Sequence, residues 1–153
     1  MFARDVMSTR FHTISPEQSI AEAVKMFHIA SIEEQKRIFG LMVIDEKEHL
    51  VGMLSMYDIL LFVQPKHVHV WSEIEDLEAH EMFAELLNRV KSIRVSDIMT
   101  TNVVTVKPET HVMVIADLMI RRHIRRLPVV EGENVVGVVY ISDVFYHLLD
   151  KFL

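Results

Sequence analysis

The chain has no cysteine among its 153 residues. That excludes a disulfide framework, a thiolate metal site and a cysteine nucleophile. Four glycines and four prolines leave little room for flexible linkers or low-complexity segments. A basic excess is also missing. The 22 acidic side chains outnumber the 16 basic ones, for a net charge of −6, which argues against a general nucleic-acid binder. No apolar run is long enough to span a bilayer, since the longest, around 50–63, is broken by Asp58. The first residues lack the apolar core of a signal peptide, so the expected location is the cytoplasm. Half the residues are hydrophobic, enough to build a real core.

What is present is one pattern written twice. Asp5-Val6-Met7-Ser8 returns as Asp97-Ile98-Met99-Thr100. Thr13-Ile14-Ser15-Pro16-Glu17 returns as Thr105-Val106-Lys107-Pro108-Glu109, at the same offset of 92 residues. Ile20, Ala23, Val24 and Phe27 have the i, i+3, i+4, i+7 spacing of one helix face, and Val112, Ile115, Ala116 and Met119 repeat it. Each copy closes on an apolar run in which a Gly is followed by an Asp six residues later: Gly52 and Asp58, then Gly137 and Asp143. Two copies of one unit predict a pseudo-twofold module with ligand clefts between the copies.

Each copy reads as strand, helix, strand, strand, helix, an α+β arrangement of two β-α-β-β-α repeats. Thr13-Ile14 and 103–106 are β-branched runs. Ser19 and Glu22 form a capping-box pattern at the start of the first long helix, and Gly40 is its expected stop. The runs 41–44 and 127–130 are strands, with 50–54 and 135–139 as antiparallel partners. Short apolar helices are expected over 57–63 and 144–153. Pro16 to Val43 spans 27 positions, but Pro108 to Val129 spans 21. The six extra residues fall within 30–39 and are read as a longer first helix. The copies occupy 1–63 and 93–153, joined by a connector over 64–92. Ser72 and Glu75 would cap an extra connecting helix there. Its apolar stripe is Ile74, Leu77, Phe83, Leu86, Leu87 and Val90, and Arg89 and Lys91 suit the helix dipole at its end.

The ordered set resembles a tandem pair of CBS domains, the Bateman module. The residues that carry it are Val6-Met7-Ser8 and Ile98-Met99-Thr100, the Thr-Ile/Val-x-Pro steps, Arg126-Leu127-Pro128-Val129-Val130, and the closing Gly-to-Asp frame. The resemblance covers nearly all of the chain except the connector. It implies a compact disc-like module, commonly dimeric, that binds AMP, ADP, ATP or S-adenosylmethionine in two clefts. It makes Asp58 and Asp143 the ribose contacts. Ser55 stands three residues before Asp58. Tyr140 replaces it in the second copy, where Ser142 is available instead. Arg125 and Arg126 match the family's phosphate contacts. The first copy has Ile38 and Phe39 there, and Met42 in place of the proline, so its site is expected to be poorer in phosphate contacts. The resemblance extends the second-repeat site to Thr100, Thr105, Val106 and Pro128, and gives the first Ser8, Thr13, Ile14 and Val43. Met7 and Met99 fall where the family lines its purine slots.

Simpler roles compete with these. Ser55 and Asp58 fit an ordinary helix cap, and Arg121 and Arg122 suit the end of a helix. Asp5 and Asp97 are read as caps or local turn bonds. His67 and His69 lie two apart on a potential strand face, but no third ligand follows at a metal-site spacing, so no metal is expected. No nucleophile–base pairing or catalytic motif appears. The favoured expectation is a non-enzymatic sensor of an adenine-containing ligand, a homodimer acting on a separate effector protein. The alternative is a ligand-independent dimerisation or interaction module.

Overall fold

Ser19 is extended and its hydroxyl oxygen accepts the Glu22 N–H at 3.2 Å, which starts the first long helix as its sequence predicts. The structure, a computed structural model, describes residues 1–63 and 76–153. The elements in chain order are α1 (Ala3–Val6), β1 (Thr13–Ile14), α2 (Ile20–Glu33), β2 (Gly40–Ile44), β3 (Leu50–Ser55), α3 (Met56–Val63), α4 (Asp76–Lys91), α5 (Val95–Ile98), α6 (Val112–Arg122), β4 (Arg126–Glu131), β5 (Asn134–Tyr140) and α7 (Ile141–Asp150). The fold is α+β. The connecting helix is present as α4, whereas its expected Ser72 cap, Ile74 and the His67/His69 pair lie outside the described residues.

The chain divides into two units that do not follow sequence order. One unit holds residues 1–11, 45–50 and 102–153; the other holds 12–44 and 51–101. In the first, β4 and β5 are antiparallel, with Arg126 opposite Tyr140 and Pro128 opposite Val138. Here α1 packs against α6, α7 and β5. The core is Ala3, Val6, Val106, Val112, Ile115, Met119, Leu127, Val129, Val139 and Val144. The expected strand over 103–106 shrinks to a single parallel bridge, Val106 with Val129.

In the second unit the strand order is β1-β2-β3, and β1 runs parallel to β2 with Thr13 beside Met42 and Ile14 beside Val43. α4 packs against α2 and α3. On α2 the buried residues are Ile20, Ala23, Phe27 and Ala30, while Val24, expected on the same face, is exposed. On α4, Val90 is buried and Leu86 half-buried, but Phe83 and Leu87 stay exposed, so the described part of the stripe is only partly covered.

The six-residue insertion is shared between helix and loop. α2 has 14 residues and α6 has 11, and the remaining extra residues lengthen the 34–39 connection. Gly40 is not the helix stop. It opens β2, and Gln35 takes the left-handed conformation (φ 54) instead. The Ser31 hydroxyl secures this turn by donating to Phe27 O at 2.8 Å and accepting from Ile38 N at 3.1 Å. α6 ends on left-handed His123 (φ 53), with the Ile124 N–H returning to Met119 O at 3.0 Å. The last helix starts at Ile141 and stops at Asp150, three residues earlier at both ends than its apolar pattern predicts. Among the described residues, no helix is long and apolar enough to cross a membrane.

Candidate ligand-binding sites

Each unit presents one carboxylate at the start of a helix that leaves a strand directly. Asp58 and Asp143 are both the third residue of their helices, α3 and α7. Both closing glycines have a steric reason. A Cβ on Gly137 would lie 2.5 Å from the Met7 sulfur, and one on Gly52 would lie 2.7 Å from the Met99 sulfur and 2.9 Å from Thr100 O. The chain around Met7 and Met99 therefore lies directly on each glycine, a close approach that only glycine permits. Backbone bridges lock it there. Ser8 and Val138 exchange N–H···O bonds of 2.8 and 3.0 Å, and Thr100 and Met53 exchange bonds of 2.8 and 2.9 Å. The short helices before these methionines are held by Asp5 and Asp97, whose carboxylates accept from Phe2 N (2.8 Å) and Arg94 N (3.1 Å).

These bridges change the grouping read from the repeats. Thr100 was expected beside the second-repeat residues, but its hydroxyl donates to Asp58 Oδ1 at 3.4 Å. Ser8 was expected with the first repeat, but it sits on β5 of the other unit, and its hydroxyl donates to Arg10 O at 3.0 Å. The cause is that residues 1–11 belong to the unit built on β4 and β5, and 95–101 to the unit built on β1–β3. Repeat spacing shows that two segments correspond; it does not show which sheet each one joins.

Around Asp58 the polar groups are engaged with one another. Ser55 N donates to Asp58 Oδ2 at 2.9 Å, and Asp58 N donates to Ser55 Oγ at 3.0 Å. This is a reciprocal cap with the carboxylate on the third helical residue. Thr13 is partly exposed on β1, while Ile14 and Val43 are core residues of the sheet.

Around Asp143 the polar groups are open. Among the described residues its carboxylate takes no hydrogen bond, Ser142 Oγ makes none, and the Arg125 guanidinium has no ion pair. Tyr140, at the cap position, gives α7 no side-chain cap. Arg125 is exposed and Arg126 half-buried at the start of β4, and Ile141 N donates to Arg125 O at 2.8 Å, which ties that strand start to the start of α7. Thr105 is exposed, but Val106 and Pro128 are buried. The side chains of Val106, Pro128, Ile14 and Val43 build the core, so these residues can offer a ligand only backbone. Near Pro128, Val106 N already donates to Pro128 O at 3.0 Å.

One polar cluster was not singled out by the repeats. His12, immediately before β1, places Nε2 2.5 Å from Glu33 Oε2 and Nδ1 2.9 Å from Glu34 Oε2. Burial disfavours the charged ring, but hydrogen bonds and charge from Glu34 and Glu33 outweigh it and raise the His12 pKa above its ordinary value. The signal available in sequence was the pair of acids inside the insertion. Its partner His12 is 21 residues away from Glu33 and shows no spacing relation to it.

Two short-strand sheets with flanking helices, each fitted with a methionine-on-glycine bridge and a helix-start carboxylate, define a tandem-repeat α+β module. The CBS domain matches residues 3–64 and again 95–150, and the chain belongs to that family as a tandem CBS pair. It is 30% identical to the CBS domain-containing protein YhcV of Bacillus subtilis over 140 residues, 92% of this chain and 80% of that protein. Among solved structures it is similar to the CBS-pair protein CBSX2 of Arabidopsis thaliana, with a TM-score of 0.75 and 25% identity, covering 99% of this chain and 96% of the other. CBSX2 has also been solved in complex with AMP. The CBS domain pair of protein MJ0100, solved with 5′-methylthioadenosine and S-adenosyl-L-methionine, gives a TM-score of 0.68 at 26% identity, covering 99% and 98% of the two chains.

Proposed function

We propose that this chain is a non-enzymatic regulatory module that binds an adenine nucleotide or an adenosyl compound, with Asp143 and Asp58 as ribose acceptors. The observation that carries the reading is the open set at the start of α7: among the described residues, a carboxylate without a hydrogen bond, a serine hydroxyl that makes none and an Arg125 without an ion pair. A ribose supplies hydroxyl donors for the carboxylate. A phosphate is suited to the helix N-terminus and to the guanidinium fork. AMP in CBSX2, and methylthioadenosine and S-adenosylmethionine in MJ0100, support the adenine class. Thr105, Arg126 and Ser142 join Asp143 in the phosphate-competent site, with backbone from Val106 and Pro128. Ser55 and Thr100 bond Asp58 in the other site, to which this reading assigns Thr13 and the backbone of Ile14 and Val43, while Ser8 fixes the Met7 bridge.

The ligand acts as a signal only if it favours one state of the module over another. The output passes to a separate effector through a homodimer in the cytoplasm. A second reading, ligand-independent assembly, draws on the exposed Tyr57, Leu60, Leu61 and Phe62 of α3 and Phe145 and Tyr146 of α7. Calorimetry and thermal shift against AMP, ADP, ATP and S-adenosylmethionine separate the two. Binding to the folded state alone raises Tm. A saturable heat with at least one ligand supports the sensor. No heat at millimolar ligand, together with a dimer by light scattering, selects the assembly module.

A further inference from the structure

His12 is held by two carboxylates at once. Nδ1 meets Glu34 Oε2 at 2.9 Å and Nε2 meets Glu33 Oε2 at 2.5 Å. Ionised carboxylates only accept, and a neutral imidazole has a single N–H. Both contacts therefore hold together only when the three groups carry one proton more than a neutral ring and two carboxylates. With the ring protonated, both contacts are charge-assisted.

The two acids differ in what they can do without that proton. The Glu33 side chain is 57% exposed and can turn to water. The Glu34 side chain is 6% exposed, and its second oxygen is buried with no hydrogen bond among the described residues. Glu34 therefore depends on His12 for the stability of its charge, and the remaining N–H of a neutral ring stays with it. The contact that opens is the one to Glu33.

The geometry points to a one-proton latch: protonated His12 ties the entry of β1 to the end of α2 through Glu33 and Glu34, and loss of its proton to solvent frees Glu33. Glu33 is the last residue of α2 and Glu34 its C-cap, followed by left-handed Gln35. His12 leads straight into Thr13 and Ile14, which pair with β2. The latch thus joins both ends of the α2 crossover. The charges acting on the ring are those of Glu34 and Glu33. Lys36 and Arg37 in the turn after α2, and Arg10 two residues before His12, are the cations nearest in sequence. The other repeat has no counterpart. Its position equivalent to His12 is Val104, and α6 stops at Arg122 without the insertion. Any effect of the latch on a ligand at Thr13 rests on the proposed function; the tests below do not use a ligand.

Nitrogen NMR of the His12 ring in the full chain, titrated from pH 5 to 9, tests the latch. The expected result is both ring nitrogens protonated at pH 6.5, with the midpoint above it, and a lower midpoint in Glu33→Gln and Glu34→Gln. Hydrogen exchange reads the mechanical part. Protection at 12–14 and 33–36, corrected for intrinsic rates, should fall about fivefold as the ring deprotonates, the factor one net hydrogen bond supports. His12→Gln should remove that pH dependence. If His12→Gln does not fold, Glu33→Gln, altered at an exposed side chain, should remove it equally. A midpoint at or below 6.5, or protection at these residues with the same pH dependence in wild type and Glu33→Gln, overturns the latch.

Discussion

Asp58 and Asp143 occupy the same step of the two repeats, third in a helix that follows a strand without a loop. Asp58 is bound up with Ser55 and Thr100 and stabilises its own helix start. Asp143 has neither partner, because Tyr140 replaces the serine and Ser8 in the corresponding bridge turns its hydroxyl to Arg10 O. One carboxylate is spent on structure and the other is available. A ligand at Asp58 would have to displace the cap bonds, and each such bond contributes about 1 kcal/mol. A ligand at Asp143 would break no hydrogen bond of that carboxylate among the described residues. The same residue in the same frame can thus lean toward stability or toward binding, depending on the side chain three positions earlier.

The largest expected effect comes from the shared bridge, and it also distinguishes the units. Gly137 has the shorter clash, 2.5 Å, but with the end of a flexible methionine. Gly52 also meets Thr100 O, a backbone atom that accepts from Met53 N in a residue held by two bridge bonds. Gly52→Ala should cost about 3 kcal/mol, at the upper end of overpacking, and Gly137→Ala about 1 kcal/mol. Urea unfolding gives both values, and equal losses would mean that the 95–101 segment yields as easily as a side chain.

Next comes a double dissociation at the carboxylates. Asp143→Ala should weaken AMP binding about tenfold to a hundredfold, since hydrogen bonds to a charged group contribute roughly 1.5–3 kcal/mol, with little change in unfolding free energy. Asp58→Ala should do the reverse, losing about 1 kcal/mol of stability with its cap and affecting AMP less. Calorimetry paired with denaturation reads both axes. If the two variants behave alike, the contrast between a committed and an open carboxylate has no functional meaning.

The repeat phase, α2, α6, the β4–β5 pair and the Ser19 cap could be read from sequence because each rests on local periodicity or a three-residue spacing. The exchange of Ser8 and Thr100 between the units could not, since both bridging segments have the same pattern and either sheet would accept it. The end of α2 was misplaced for a related reason. Gly40 is the usual helix-stop residue, but Ser31 ends the turn earlier by bonding Ile38 N, and Gln35 bears the left-handed strain. Val106, Pro128, Ile14 and Val43 matched a family motif, yet a motif cannot distinguish a side chain that meets the ligand from one that holds the sheet.

A smaller effect should separate phosphate from sugar. Arg125 is exposed, so its removal disturbs no core. Arg125→Ala should weaken AMP about threefold to tenfold, the range for a partly screened charged contact, and leave adenosine unchanged. Arg126→Ala should show the same preference with an added stability loss, because that side chain is half-buried. Equal losses for AMP and adenosine would make both arginines structural.

The smallest effect should be the pH dependence that sets the two units apart. The His12 pKa is raised in the folded chain, so its contribution to stability is fully present below the unfolded value of 6.5 and is lost as pH rises through the folded value. Asp45, near the turn of the other unit, runs the opposite way. The His49 N–H is the main cause of its lowered pKa, so its contribution is present above 3.8 and is lost as pH falls through the lowered value. The stability difference between wild type and His12→Gln should therefore shrink only on the alkaline side of 6.5. The difference between wild type and Asp45→Asn should shrink only on the acid side of 3.8. Paired urea titrations across pH 3 to 9 measure both. If the His12→Gln difference instead grows with rising pH, the ring is held neutral in the folded state, and the asymmetry between the units lies in their carboxylates alone.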